Sequence, residues 1–342
     1  MGKNLRVPGF CSGVILTFGL CFLVLFAFCA CKSENNVSEE KSKLSVACYN
    51  AQTFFDSKTE GTEYSAFKQS DVWSEEKYKS RLERLCTIMK ELDTDIFVLE
   101  EIENKAVMFD IFNQLADGSW NSSSLWLYAA FAKQDDNSIG VGLFSKYPLE
   151  NVRMHDLDVR TLSESQPKGR PVLEVSVNAD GREIQFFVNH WKSKSSGAFD
   201  SAIWRACQEA LLCSLIDGSE NYLALGDFNK DILEFPLTNE KSTFKVHLQG
   251  IKASADVFSP WLDRDMTSGG EVTLTSDKGS YYYQGKWERI DHIFSGRELE
   301  IKNFSVSARS PWCDENGLPL AYNIYTGSGF SDHLPIMCNV YF

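Results

Sequence analysis

Polar groups stand where apolar runs end: Asn50 after LSVACY, Glu101 after DIFVLE, His190 after REIQFFVN, and Asp227 and Asn229 after NYLALG. Asp291 follows WERI, and the Asp332-His333 pair precedes LPIM. Singly, each has an ordinary role: Asn50 shaping a turn, Asp227-Phe228-Asn229 an Asx turn, His190 a satisfied core histidine, Asp332 a cap on a bend. Strands that share a direction or return in hairpins bring such ends to one rim. Carboxylates collected there repel one another unless a divalent cation neutralises them. Hard oxygen donors with amides and histidines nearby favour magnesium or manganese over zinc. The chemistry that suits this set is phosphoester hydrolysis. The metal polarises phosphate oxygens, a carboxylate orients or deprotonates water, and a paired histidine supports the developing charge.

The elements that must position these groups are legible as well. LSVACYN, DIFVLEEIEN, IGVGLFSK, RPVLEVSVNAD, REIQFFVNHW and NYLALGDFN read as strands, with Asp180-Gly181 turning one hairpin. SEEKYKSRLERLCTIMKELD is a helix capped by Ser74, with Tyr78, Leu82, Leu85, Met89 and Leu92 at helical spacing. NKAVMFDIFNQLADG, stopped near Gly118, and DSAIWRACQEALLCSLID are two more. Few helices among many strands, often hairpin-joined, predict an α/β protein with mixed or antiparallel sheets.

The 342 residues carry a net charge of −13, more negative still once Lys3 and Arg6 are set aside. That argues against a stoichiometric nucleic-acid binder, but not against an enzyme that recruits divalent metal to its substrate. Those two basic residues precede the apolar run VILTFGLCFLVLFAFCA and then CKSENNVSEEKSK. The pattern predicts a lipoprotein-type signal peptide over 1–30, a lipid-bearing Cys31 that ties the chain to a membrane, and a flexible tether over 31–43. An uncleaved anchor helix and ordinary secretion are the alternatives, and all three place the domain, 44–342, outside the cytoplasm, on the periplasmic or cell-surface side. The domain cysteines form no CxxC pair or cysteine–histidine cluster, so they read as buried core residues.

CYNAQTFFD, IFVLEEIEN, FFVNHWKSKS, LALGDFN, ERIDHIFS and GFSDHLPI, in this order, resemble the motifs of the endonuclease/exonuclease/phosphatase superfamily, to which deoxyribonuclease I belongs. The resemblance spans Leu44 to the C-terminus. It implies a four-layered sandwich of two packed, mainly antiparallel β-sheets flanked by helices, acting with Mg2+ or Mn2+. It also implies roles: Glu101 the principal metal ligand with Asn50 and Asp332 beside it, and Asp227 the residue that orients or deprotonates water. Asn229 would hold the phosphate, Asp291 would pair with His333 on the scissile phosphate, and His190 would be the second histidine. Arg170, in GRPVLEV, falls where relatives carry a phosphate-contacting arginine. The sequence departs from the family pattern twice. Glu100 stands where relatives have glutamine, and strand alternation predicts that Glu100 and Glu101 face opposite ways. Gln52 stands where relatives of this type have an acid.

The resulting expectation is a nuclease, with DNA preferred over RNA. The alternatives are a sphingomyelinase-type phospholipid phosphodiesterase and an inactive surface-binding lipoprotein. The segment DKGSYYYQGKWERIDH favours nucleic acid, because it offers tyrosines with Lys278, Lys286 and Arg289 rather than apolar residues for a bilayer.

Overall fold

The computed structural model describes residues 41–116, 125–157, 169–194, 198–240, 243–250, 253–262 and 272–342. The expected signal peptide, Cys31, nearly all of the tether, and Gly118 lie outside these residues.

Alternation along β1 (Lys43–Phe54) sets up the layers. Leu44, Val46 and Cys48 enter one hydrophobic cluster, while Ala47, Tyr49 and Ala51 enter another. β1 pairs in parallel with β2 (Ile96–Ile102) and antiparallel with β16 (Ile336–Tyr341). β3 (Tyr128–Ala132), β4 (Gly140–Ser145) and β15 (Glu300–Val306) complete a six-stranded sheet in the order β15-β16-β1-β2-β4-β3.

The second sheet has five strands in the order β14-β8-β7-β6-β5. They are β5 (Leu149–His155), β6 (Val172–Ala179), β7 (Arg182–His190), β8 (Tyr222–Asp227) and β14 (Asp291–Ser295). Only β7 and β8 run parallel; the other pairs are antiparallel. Asp180 and Gly181 both take positive φ, 50° and 81°, as a two-residue hairpin turn requires, and join β6 to β7. β3 and β5 are edge strands that periodicity did not reveal, because β3 exposes two of its five residues and β5 five of its seven. β9 (Leu237–Glu240), β10 (Thr243–Leu248) and β11 (Ala255–Val257) make a small sheet, and β12 (Tyr281–Tyr283) and β13 (Lys286–Glu288) a hairpin.

α1 (Glu75–Leu92) starts where the Ser74 side chain accepts from Lys77 N–H, and ends at Asp93 in the left-handed region. Its apolar stripe and that of α2 (Lys105–Ala116) bury against Ala47, Tyr49, Phe97 and Leu99 on the outer face of the first sheet. Leu212, Cys213 and Ile216 of α3 (Ala198–Ile216) pack with the second sheet. The result is the expected sandwich of two mixed, mainly antiparallel sheets flanked by helices. Cys48, Cys86, Cys213, Cys313 and Cys338 are buried free thiols, and Cys207 is a half-buried one.

Candidate active site

Sheet register brings the chemistry together. His190 pairs with Asp227 across β7/β8, and Asp227 with Asp291 across β8/β14, so the three share one rung. Across from them, Asn50 pairs with Glu100 in the first sheet. Gly226 makes the rung possible: its φ is +134°, and a Cβ there would sit 1.9 Å from the Asn189 carbonyl oxygen. Asp227 serves two purposes. Oδ1 accepts from Asn229 N–H at 2.8 Å, the Asx turn, and Oδ2 accepts from the Asn50 amide at 3.0 Å. Burial beside Asp291 pushes the Asp227 carboxyl up to about 7, against the opposing pull of His333 and the Asn229 N–H.

Glu101 reaches the rim by a different device. Its φ is +62°, where the β2 register with β4 is broken, and this left-handed residue breaks the alternation of the strand. Oε2 accepts from Thr53 N–H at 2.5 Å, and Oε1 lies 3.5 Å from the Asn50 amide and 3.6 Å from His190 Nε2. Glu100 and Glu101 do part, but through the left-handed backbone of Glu101 rather than by strand alternation alone. Glu100 is fully buried between the sheets, accepting from the Cys48 thiol at 3.1 Å, with Oε2 unpartnered. Burial, then the charge of Asp291, pushes its carboxyl well above the usual range.

His333 Nδ1 lies 2.8 Å from Asp291 Oδ2. Burial disfavours the imidazolium, but the charge and hydrogen bond of Asp291 outweigh it and hold the His333 pKa well above that of a free histidine. Its backbone is anchored by Ser331, whose hydroxyl accepts from His333 N–H at 3.1 Å and donates to the Asn50 carbonyl at 2.7 Å. His190 is the opposite case. Its Nε2 is 3.6 Å from both Glu101 and Asp227, yet burial, with Arg170, His333 and Lys192 nearby, holds it well below its usual pKa and therefore neutral.

Asn229 and Arg170 converge on one acceptor: the Asn229 amide donates to the Trp191 carbonyl at 3.1 Å and Arg170 Nη1 at 2.7 Å. Asp332 is half-buried and joined to the site through its N–H, which donates to Gln52 Oε1 at 3.1 Å. Gln52 is a brace: Oε1 also accepts from Tyr322 N–H at 2.7 Å, and its amide faces the Tyr322 carbonyl at 3.3 Å. His292 Nε2 donates to the Lys230 carbonyl at 2.8 Å, and the ring stacks on Phe294 with Phe228 and Phe235 edge-on, as a core residue.

Tyr281, in the segment whose tyrosines the sequence set beside the site, comes into contact with it, and Arg81 is a position that escaped the sequence reading. Tyr281 bridges to His333 in backbone register, and its ring lies 4.7 Å from the imidazole. Arg81 of α1 is fully buried and donates to the carbonyls of Ala51, Gln52 and Thr53, with Tyr322 under its guanidinium at 3.7 Å. Its signal was present: Arg81 falls on the same helical stripe as Tyr78, Leu82 and Leu85. The cationic reading of the hairpin segment needs revision. Lys278 is tied to the Asn316 carbonyl, and Arg289 to the carbonyls of Ser276 and Asp277, which leaves Lys286 at the exposed turn.

The donor set fits a hard divalent cation. Glu101 and Asp227 offer carboxylate oxygens bridged by the Asn50 amide, and the neutral His190 3.6 Å from both adds no charge against their repulsion. Ligand atoms of Asp227, Asp291 and His333 also fall within 4.8 Å of one another. There, however, Nδ1 of His333 is already committed to Asp291, so the Glu101 side is the better cation site.

A family model for the endonuclease/exonuclease/phosphatase family matches residues 45–308. Fold and site thus define a divalent-metal-dependent phosphoesterase, and the chain belongs to the endonuclease/exonuclease/phosphatase family. Truncated TDP2 of Caenorhabditis elegans superposes with a TM-score of 0.53 at 14% identity, over 88% of this chain and 98% of that one. ANGEL2, described as a 2′,3′-cyclic phosphatase, gives 0.54 at 14% identity over 88% and 95%. An endonuclease/exonuclease/phosphatase protein of Beutenbergia cavernae gives 0.53 at 13% identity over 88% and 72%. At such identities these structures share the fold alone. No curated protein matches the chain by sequence.

Proposed function

We propose that the chain is a nuclease that hydrolyses nucleic-acid phosphodiester bonds, DNA in preference to RNA. The observation that carries this reading is the aromatic wall at His333. Tyr281 lies against the imidazole, and Tyr283, 53% exposed, stacks on Tyr281 at 6.1 Å. Stacked hydroxylated rings beside the reacting phosphate suit a base or sugar, whereas a lipid-cleaving site would present aliphatic residues to the bilayer.

In this reading Glu101, Asn50 and Asp332 hold magnesium or manganese, the Asn50 amide turning to present its oxygen. The cation supplies charge neutralisation and Lewis-acid polarisation of the phosphate. Asp227 accepts the proton of the attacking water, and Asn229 and Arg170 orient the phosphate. His333, held charged by Asp291, stabilises the negative charge that develops on the phosphate oxygens. His190, neutral, donates through Nε2 to phosphate or leaving group.

Signal-like residues 1–30 and Cys31 support action outside the cytoplasm on a lipid anchor. A substrate panel of duplex DNA, single-stranded DNA, RNA, sphingomyelin and inositol phosphates, with magnesium, manganese, calcium or EDTA, tests the assignment. Metal-dependent cleavage of DNA is expected. Sphingomyelin hydrolysis without DNA or RNA cleavage overturns it in favour of a phospholipase, and no turnover of any substrate points to a binding protein.

A further inference from the structure

A cavity of about 510 Å³ opens beside the site, lined by Tyr64, Asp136, Asn137, Arg170, Lys192 and Trp204 among others. Its volume falls in the range of sites that enclose a small organic ligand. Two links tie it to the reacting centre. Arg170 shares the Trp191 carbonyl with Asn229, and Lys192 is the next residue along the chain. The cavity is also built rather than incidental. Lys192 N–H donates to Gln208 at 2.7 Å and its carbonyl accepts from Arg205 at 3.0 Å, while the Asn137 amide is fixed to the Gly169 carbonyl and Ser138 to the Thr62 carbonyl.

The chemistry of the walls is uneven. Two cations, Arg170 and Lys192, stand in the wall on either side of the Trp191 carbonyl link to Asn229, in a chain whose net charge is −13. Trp204 brings an indole to the wall, and Asp136 and Asn137 supply an acceptor and an amide. Cations beside the link to Asn229, an indole and polar groups together match a phosphorylated nucleoside.

We propose that this cavity takes the nucleotide next to the scissile bond, with its phosphate on Arg170 and Lys192 and its base on Trp204, edge toward Asp136 and Asn137. The assignment rests on the nuclease reading and narrows it. A base can enter a concave pocket only unpaired, and extracting one from a duplex costs its stacking and pairing. The substrate class is therefore single strands or frayed ends in preference to intact duplex.

Calorimetry in EDTA, where nothing is turned over, with deoxythymidine 3′,5′-bisphosphate and base-free deoxyribose 3′,5′-bisphosphate, tests the cavity directly. The base is expected to tighten binding at least about fivefold, the low end of stacking on an aromatic side chain. Trp204→Ala should close that gap, Trp204→Phe should keep most of it, and Lys192→Ala should weaken both ligands alike. Equal binding of the two ligands to the wild type, or a gap that survives Trp204→Ala, overturns the proposal. Single strands should also be cut with a kcat/KM at least about tenfold above a duplex of the same sequence, and equal values sink the substrate class. The two readings fail separately. A base-dependent gap without nucleic-acid cleavage removes the nuclease assignment, and cleavage without the gap removes only the cavity's role.

Discussion

Glu100 and Glu101 are consecutive, yet one is sealed between the sheets against Cys48 and the other stands on the rim 3.6 Å from His190. The left-handed backbone of Glu101 separates them, and burial pushes the Glu100 carboxyl well above the usual range. Glu101→Gln is expected to raise the magnesium or manganese concentration for half-maximal activity by at least about tenfold, because a charged oxygen ligand is lost. Glu100→Gln, which takes no ligand from the rim, should stay within about threefold of the wild type on the same scale. A metal titration of phosphodiesterase activity decides the matter, and a larger effect at Glu100 would reverse the assignment.

Asp291 and His333 should behave as one unit. Asp291→Asn and His333→Ala should each lower kcat by at least about a hundredfold, with smaller effects on KM. The double variant should be little worse than either single one, since the second change removes a group already disabled. Additive losses would mean that the 2.8 Å contact does not carry the function.

Arg81 holds the carbonyls of Ala51, Gln52 and Thr53, and the N–H groups of the same turn orient Asn50 and Glu101. Arg81→Met leaves buried acceptors unpaired and should cost at least about 3 kcal/mol of stability in urea. Binding of Mn2+, followed by its paramagnetic signal, should weaken in parallel. Arg81→Lys should recover part of both, and normal metal binding in Arg81→Met would confine the residue to a structural role.

His292 makes stability depend on pH. Burial brings its pKa down to about 4, against the ordinary histidine value of about 6.5 in the unfolded chain. Between those values the unfolded chain binds the proton and the folded one does not, so stability falls as pH drops. His190 acts in the same direction, and His333, with its raised pKa, in the opposite one. His292→Phe isolates one share: its stability loss from pH 7 to pH 5 should be smaller than that of the wild type by about 2 kcal/mol. Equal losses in urea titrations at the two pH values would show that His292 is not held neutral.

Local signals in the sequence determined more of this protein than its low identity to the superposed structures suggests. Apolar alternation, the Ser74 cap and the Asp180-Gly181 turn specify β1, β2, β4, β6, β7, β8 and α1, because each depends on residues close in the chain. The types of Asn50, Glu101, His190, Asp227, Asp291 and His333 were sufficient to name the chemistry. Tertiary structure alone decided their arrangement. One rung holds His190, Asp227 and Asp291 only because β7 runs parallel to β8 and β8 antiparallel to β14, a register set by strands up to a hundred residues apart. The contrast between Glu100 and Glu101 depends on one left-handed φ that strand periodicity does not encode. Arg81 and Gln52 read as a helix cation and a misplaced amide until the fold brings them against carbonyls and N–H groups from other segments. Residue type sets which bonds a side chain can make; which partner stands opposite is a property of long-range packing.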